Sequence, residues 1–417
     1  DGERAAALEQ PAGGEDVGAR RRLVERLETL KQAYAYEGFV VVDAGAQRIL
    51  VVGSHERFSE APVRQAAQRI VDSMVDPLRL DDAQVRVEVT VGICLFPVHG
   101  DDSETLLRRA EIAMYAARSA GRSIDVYSPG QDESYLRRIS LLGELAVALD
   151  SDQMEIYYQP KMDLRSRRVR QAEALVRWIH PTRGLVAPDE FIGLAEQSGL
   201  IGQLTQLVLT KAVRQMRSWS SLGMDVAVSV NVSALDLAAE GFAGRLMELL
   251  RAHGVPPARL TLEMTESTVI RDVHHTREVM RQLRDAGVHF SIDDFGTGYS
   301  SLAQLRSLPL HELKIDKSFV LNLTGSQEDA LIVRSTIELA HNMGLVVCAE
   351  GVESEAAIDL LLGMGCDIGQ GFCISRPMPA GAFAEWLARQ DPGPGPAPAR
   401  AAAPIVIGEG SVLASRA

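Results

Sequence analysis

Asp293 and Asp294 stand side by side in Ser291-Ile-Asp-Asp-Phe-Gly-Thr-Gly-Tyr-Ser-Ser-Leu302. Adjacent carboxylates repel each other unless cations bind them. One carboxylate bridging two divalent ions about 3.5–4 Å apart is a common arrangement for cutting phosphodiesters. A solvated Asp-Asp turn is the plain alternative, because short motifs also arise without function. Glu173, Asn231 and Glu263 would add oxygen ligands, and hard oxygen donors suit Mg²⁺ or Mn²⁺ better than zinc. Lys314 could hold a phosphate, orient an attacking water, pair with a carboxylate, or combine these. Glu350 could bind metal or accept a proton from water. Arg177 carries a fork that suits a phosphate, and Glu266 reads as a brace for the loop after Asp293. His274, His275 and His341 share no zinc-like spacing and read as surface or core residues.

Such residues act together only if a scaffold brings them to one place. Eight short apolar stretches between Ile156 and Ser375 read as strands, each with a polar residue at or near its C-terminal end. In order these are Gln159, Glu173, Asn231, Glu263, Asp293, Lys314, Glu350 and Gln370. From Met154 to about Arg389, strand and helix alternate, which predicts a parallel sheet with outer helices. A stretch of about 240 residues fits one β/α barrel, whose chemistry sits at the C-terminal strand ends. Parity agrees. Valines 226, 228, 230 and 232 share one strand face, and Ala227, Ser229, Asn231 and Ser233 share the other. One outer helix is expected over Glu328–Met343, with Ile332, Val333, Thr336, Ile337 and Ala340 on one face.

Upstream, the pattern predicts a small α/β unit ending near Tyr127. Its expected parts are a helix (Arg21–Ala35), strands (Gly38–Val42 and Arg48–Gly53), a helix (Ala61–Val75), a strand (Val85–Phe96) and a helix (Ser103–Ala120). A helix from Glu133 to Asp150 leads into the barrel. Residues 1–20 and the Pro/Ala-rich stretch from 392 to 417 read as flexible. Lys plus Arg number 43 against 56 Asp plus Glu, a net charge of −13. That balance argues against general nucleic-acid binding, while an anionic substrate stays open if metals supply positive charge. No stretch approaches the ~18 apolar residues of a membrane span. Cys94, Cys348, Cys366 and Cys373 form no CxxC pair and read as reduced core thiols of a cytoplasmic protein. The absence of an initial Met leaves room for a sensor or anchor upstream.

With these residues laid out, the stretch from about Leu141 to Arg389 resembles the EAL family of cyclic di-GMP phosphodiesterases. The matching pieces are YYQPKMDL, AEALVRW, SVNVS, LEMTES, SIDDFGTGYSSL, LKIDKSF, AEGVE and IGQGFCISRPMP. The resemblance implies a TIM-like (β/α)8 barrel with one strand reversed, and hydrolysis of cyclic di-GMP to linear pGpG. It implies two Mg²⁺ or Mn²⁺ ions, one held by Glu173, Asn231, Glu263 and Asp293, with Asp293 bridging to a second that Asp294 also holds. Lys314 would position water, Glu350 would act as ligand or base, and Gln370 would support the site. Gln159 and Arg177 would contact substrate, and Glu266 would hold the loop that links catalysis to a homodimer. VTVGICLFPVHGDD and LLRRAEIAMYAARSAGR resemble the C-terminal half of a GGDEF, or diguanylate cyclase, domain. At the signature turn stands Gly45-Ala46-Gln47-Arg48-Ile49, so the metal carboxylates are replaced and cyclase activity is not expected. The implied domains are a degenerate GGDEF-like unit over 21–130, regulatory or structural, and an EAL domain over 131–391. The rival expectation is an inactive cyclic di-GMP receptor that signals to a protein partner.

Overall fold

Short hydrophobic runs around a two-residue break make a hairpin at the start of the described chain: Phe39–Ala44 (β1) pairs antiparallel with Gln47–Val52 (β2). In this computed structural model the described residues are 39–44, 47–52, 60–74, 78–80, 83–85, 89–266, 273–296 and 305–390. The expected helix Arg21–Ala35, the segments 1–20 and 392–417, and Ser300 and Ser301 lie outside them.

Leu78–Leu80 (β3) and Ala83–Val85 (β4) form a separate hairpin that takes Val85 from the long strand expected over Val85–Phe96, and residues 86–88 of that strand lie outside the described ones. Val89–Cys94 (β5) pairs with β1, and Ile124–Val126 (β6) completes a sheet of order β2-β1-β5-β6. Helix Glu60–Ser73 buries Val63, Ala67 and Ile70 with Val91 and Ile93 of β5. Helix Ser103–Ser119 groups Leu106, Ala110 and Met114 with Cys94 and Tyr127. That helix lies so close to the sheet that a Cβ on Gly92 would meet the Ala110 carbonyl oxygen at 2.0 Å. Asp102 caps it by accepting from the Thr105 amide at 2.8 Å. Helix Gln131–Leu149 follows.

The second sheet contains Met154–Asp163 (β7), Arg168–His180 (β8), Gly184–Val186 (β9), Ala227–Asn231 (β10), Leu260–Thr265 (β11), His289–Phe295 (β12), Glu312–Ile315 (β13), Val346–Ala349 (β14), Ile368–Gly369 (β15) and Met378–Pro379 (β16). Eight of these close into a barrel in the order β7-β8-β10-β11-β12-β13-β14-β15, while β9 and β16 flank it. Within the barrel, β8 and β10 to β15 run parallel, and β7 runs antiparallel to both its barrel neighbours, β8 and β15. The cause is the connection. Only residues 164–167 join β7 to β8, and a parallel pair needs a crossover of about a dozen residues. Asp163 tightens this turn by accepting from the Ser166 amide at 2.7 Å, and Arg167 takes a left-handed φ of 56°.

Closure falls on a short seam. β15 meets β7 at two residue pairs, Ile368 with Asp163 and Gly369 with Met162. β16 adds Met378 with Tyr158 and Pro379 with Tyr157. Outside the seam, Trp219 packs between Tyr158 and Phe383, with centroids 4.7 and 4.9 Å away. Gly371, just past β15, passes so near Val352 that a Cβ there would sit 2.2 Å from its carbonyl oxygen. Helix Gln327–Asn342 buries Val333, Ile337 and Ala340 as expected, but Ile332 is exposed. Its position falls at the edge of a stripe that three residues fill. Among the described residues, no helix is long and apolar enough to cross a membrane.

The chain divides into two compact units. One runs to Asp150 and includes Asp189–Leu200; the other takes Ser151–Pro188 and continues from Ile201. All four cysteines are free; Cys94, Cys348 and Cys366 are buried as expected, whereas Cys373 is half-buried.

At the N-terminal strand ends, His289 and His311 stack with ring centroids 4.3 Å apart. The Phe290 amide donates to Nδ1 of His311 at 3.2 Å. Burial, together with His289 and Arg284, pushes the His311 pKa down to about 4. Above an unfolded pKa of about 6.5 both states are neutral; below it the unfolded chain takes up a proton that the folded chain refuses. This stabilising contribution is therefore lost as pH falls from about 6.5 toward about 4. In His311→Asn, which keeps an acceptor but cannot titrate, the fall in melting temperature between pH 7 and pH 5 is expected to shrink. An unchanged fall would remove His311 from the acid sensitivity.

Candidate active site

The lumen of the barrel carries two layers of charge. In the upper layer the Lys314 ammonium lies where four carboxylates converge: Glu350 at 2.6 Å, Glu263 at 2.8 Å, Asp293 at 3.1 Å and Glu173 at 3.6 Å. Asn231 donates to Glu173 Oε1 at 2.7 Å. Gln370 donates to Glu173 Oε2 at 2.6 Å and to Gln159 Oε1 at 3.1 Å, while Gln159 donates to the Ser375 carbonyl at 3.2 Å. Gln370 thus braces Glu173 directly, and Gln159, across the seam, holds Gln370. In the lower layer Lys161 pairs with Glu263 Oε1 at 3.1 Å and Glu312 at 2.5 Å. Ser291 also donates to Glu312, at 3.1 Å.

Strand parity accounts for most of this. Asn231 and Ser229 alternate with buried Val228 and Val230, and Lys314 alternates with Leu313 and Ile315. The expected placement at C-terminal strand ends fails for Gln159 and Glu173, which lie in the middle of β7 and β8 and face each other. Both strands extend well past the barrel wall, where β8 goes on to pair with β9. Arg177 shares the parity of Glu173 but touches none of the carboxylates by hydrogen bond. Its guanidinium donates to the Val176 carbonyl at 2.9 Å and lies 5.7 Å from the Tyr157 ring centroid.

After Asp293 the backbone turns sharply. Asp294 has φ 55°, a left-handed conformation that Asp tolerates better than most residues. Its amide donates to Asp293 Oδ1 at 3.0 Å. Glu266 accepts from the Gly296 amide at 3.4 Å, so it does touch the loop that it is expected to brace. His341 is half-exposed and pairs with Asp367, away from these groups. His274 and His275 lie on helix Val273–Asp285.

The motif reading passes over Lys161, Glu312 and Asp316. All three have a visible signal: Lys161 stands two residues beyond Gln159, and Glu312 and Asp316 flank Lys314 at a spacing of two.

The electrostatics ask for cations. Among the described residues, Glu173, Glu263, Asp293, Glu312 and Glu350 pair with the ammonium groups of Lys161 and Lys314, and Asp294 stands beside Asp293. Burial, with Asp293 and Glu173 adding and Lys314 opposing, pushes the Glu350 pKa up to about 8. Burial, Asp293 and Asp316 push Asp294 up to about 6. Glu263 goes the other way: burial would raise it, but Lys314 and Lys161 overcome that and hold it at about 2. Burial would lower the Lys314 pKa, yet the surrounding carboxylates raise it well above the ordinary lysine range. Oxygens of Glu173, Glu263 and Asp293 lie within 4.8 Å of one another, as do those of Asp293, Asp294 and Glu350. Asp293 belongs to both groups. This all-oxygen donor set fits hard divalent cations, and the Gln370 Oε1, buried without a partner, adds one more acceptor nearby.

Residues 142–377 match the EAL domain. The chain belongs to the EAL-domain family. Residues 21–123, ahead of the EAL domain, match the GGDEF domain of diguanylate cyclases. The bifunctional diguanylate cyclase/cyclic di-GMP phosphodiesterase MucR of Pseudomonas aeruginosa is 37% identical over 360 residues, which cover 86% of this chain and 52% of MucR. The cyclic di-GMP phosphodiesterase PdeR of Escherichia coli is 37% identical over 351 residues, covering 84% of this chain and 53% of PdeR. The chain thus spans about half the length of these relatives. A solved structure described as the PaMucR phosphodiesterase in complex with c-di-GMP superposes with a TM-score of 0.57 at 44% identity, covering 58% of this chain and 99% of that one.

Proposed function

We propose that this EAL domain hydrolyses one phosphodiester bond of cyclic di-GMP to give linear pGpG, using two Mg²⁺ or Mn²⁺ ions. One observation carries the reading. Asp293 sits in two adjoining carboxylate groups around Lys314 and Glu350, with every candidate ligand present. A binding-only descendant has no need to keep so costly a concentration of buried charge. The 44%-identical MucR structure, described as a phosphodiesterase with c-di-GMP bound, supports the choice of substrate.

In this proposal Glu173, Asn231, Glu263 and Asp293 hold one cation, and Asp293 and Asp294 hold the other. Bound divalent ions would acidify water and offset the charge of the phosphate. Lys314 orients the attacking water, Glu350 accepts its proton as the water oxygen bonds to phosphorus, and the P–O bond to the ribose breaks, its oxygen taking a proton from solvent to become the free hydroxyl of pGpG. Arg177, on the same strand face as Glu173 and hydrogen-bonded to the Val176 carbonyl rather than to a carboxylate among the described residues, reaches a phosphate oxygen. Gln159 contacts substrate at the seam, Gln370 fixes Glu173, and Glu266 positions the Asp294 loop. The EAL domain spans 131–391 and forms a homodimer in the cytoplasm, where buried thiols stay reduced. The GGDEF-like unit, 21–130, is regulatory or structural.

The test is hydrolysis of cyclic di-GMP by the purified chain, with pGpG followed by chromatography. Product is expected with Mg²⁺ or Mn²⁺ and is expected to vanish with EDTA. Binding of cyclic di-GMP without product in either metal would replace the enzyme by a receptor.

A further inference from the structure

Lys161 is a fully buried ammonium below the site. It touches Glu263 Oε1 at 3.1 Å, Glu312 Oε1 at 2.5 Å and Ser229 Oγ at 3.4 Å. Glu263 is itself completely buried. Its other oxygen, Oε2, faces the upper layer and meets Lys314 at 2.8 Å. The two oxygens of one carboxylate are therefore held by two different lysines on two levels. A carboxylate left to itself can rotate and offer one oxygen or both to a cation. Here the lower oxygen is already engaged by a cation that is anchored in turn by Glu312, and Glu312 is fixed by Ser291.

We propose that Lys161 is a positioning residue: with Glu312 as its anchor, it holds Glu263 Oε1 below the site so that Glu263 presents only Oε2 to a divalent cation. This rests on the metal-dependent reading above. Groups that orient a metal ligand in this way typically change metal affinity by about 10- to 100-fold when removed. Simple charge predicts the opposite. Deleting an ammonium beside a cation site makes the site more negative and should tighten cation binding. The direction of the change therefore separates the two effects.

The experiment uses the full chain, metal-free, titrated with Mn²⁺ by calorimetry, together with thermal melts and the Mn²⁺ dependence of cyclic di-GMP hydrolysis. The variants are Lys161→Met and the double variant Lys161→Met/Glu312→Leu. The double variant removes one positive and one negative charge, so net charge is unchanged and no buried carboxylate is orphaned. Both are expected to bind Mn²⁺ about 10- to 100-fold more weakly, and to need correspondingly more Mn²⁺ for half-maximal hydrolysis. In the double variant the melting temperature is expected to stay near that of the wild type. A double variant that binds Mn²⁺ as the wild type does, or a single variant that binds it more tightly, would overturn the proposal. So would a double variant that does not fold, because the pair would then serve the fold and not the ligand. If the wild type itself bound no Mn²⁺, the proposed function would fall and this role of Lys161 with it. Wild-type binding and turnover beside an unaltered double variant would remove only the role of Lys161.

Discussion

Asp293→Asn is expected to cut cyclic di-GMP hydrolysis by about 10³-fold or more, on the order of 4 kcal/mol of transition-state stabilisation. No other residue among the described ones belongs to both carboxylate groups at the site. Removing its charge weakens both cation positions at once, whereas loss of Asp294 or Glu173 touches one. Folding should survive. Asparagine has the same shape, its side-chain oxygen can still accept from the Asp294 amide, and Lys314 keeps Glu263, Glu350 and Glu173. Repulsion from Asp294 also disappears. The check is pGpG production alongside a thermal melt. A folded variant that turns over at the wild-type rate would sink the two-cation assignment.

Lys314→Met separates stability from catalysis. Without divalent ions the Lys314 ammonium is the cation on which four buried or half-buried carboxylates converge. Removing one partner of a buried ionic cluster costs about 3–5 kcal/mol, or roughly 10 °C of melting temperature in a domain of this size. In EDTA the variant is therefore expected to melt well below the wild type. Mn²⁺ should restore most of the difference, because it neutralises the same oxygens. Turnover should remain lost, since methionine cannot orient water. A variant that melts like the wild type in EDTA would show that Lys314 is not holding the metal-free site together.

The sequence made the barrel readable because alternation survives in its central strands. In β10, Val228 and Val230 separate Ser229 and Asn231, and the lumen face can be assigned from the letters alone. The same logic reaches Asp293 from Ser291 and Lys314 from Glu312. It breaks down in β7, where Tyr158–Met162 are all buried, and in β8, where Ala172, Glu173 and Ala174 are buried in a row, and the hairpin overshoots the barrel. There the strand ends cannot be read from hydrophobicity, and Gln159 and Glu173 are placed too near them. Lys161 illustrates a different limit. A lysine in an apolar strand looks like an edge or surface residue until Glu263 and Glu312, more than a hundred residues downstream, are known to face it. Distances of that kind are tertiary facts. Ile332 shows the converse: an apolar letter at helical spacing that the packing leaves exposed.

The two-pair seam between β15 and β7 makes the site a test of completeness. Gln370 reaches Gln159 across 211 residues of chain and Glu173 across 197. Contacts so remote in sequence form late, after local strand pairs have already organised. The Gln370 bond to Glu173 thus forms only when the last barrel strand docks on the first. A barrel lacking that strand would carry most of the acidic residues, yet Glu173 would lose Gln370 and keep only Asn231 and Lys314. The final stitch of the fold is in effect what completes the set of partners around Glu173.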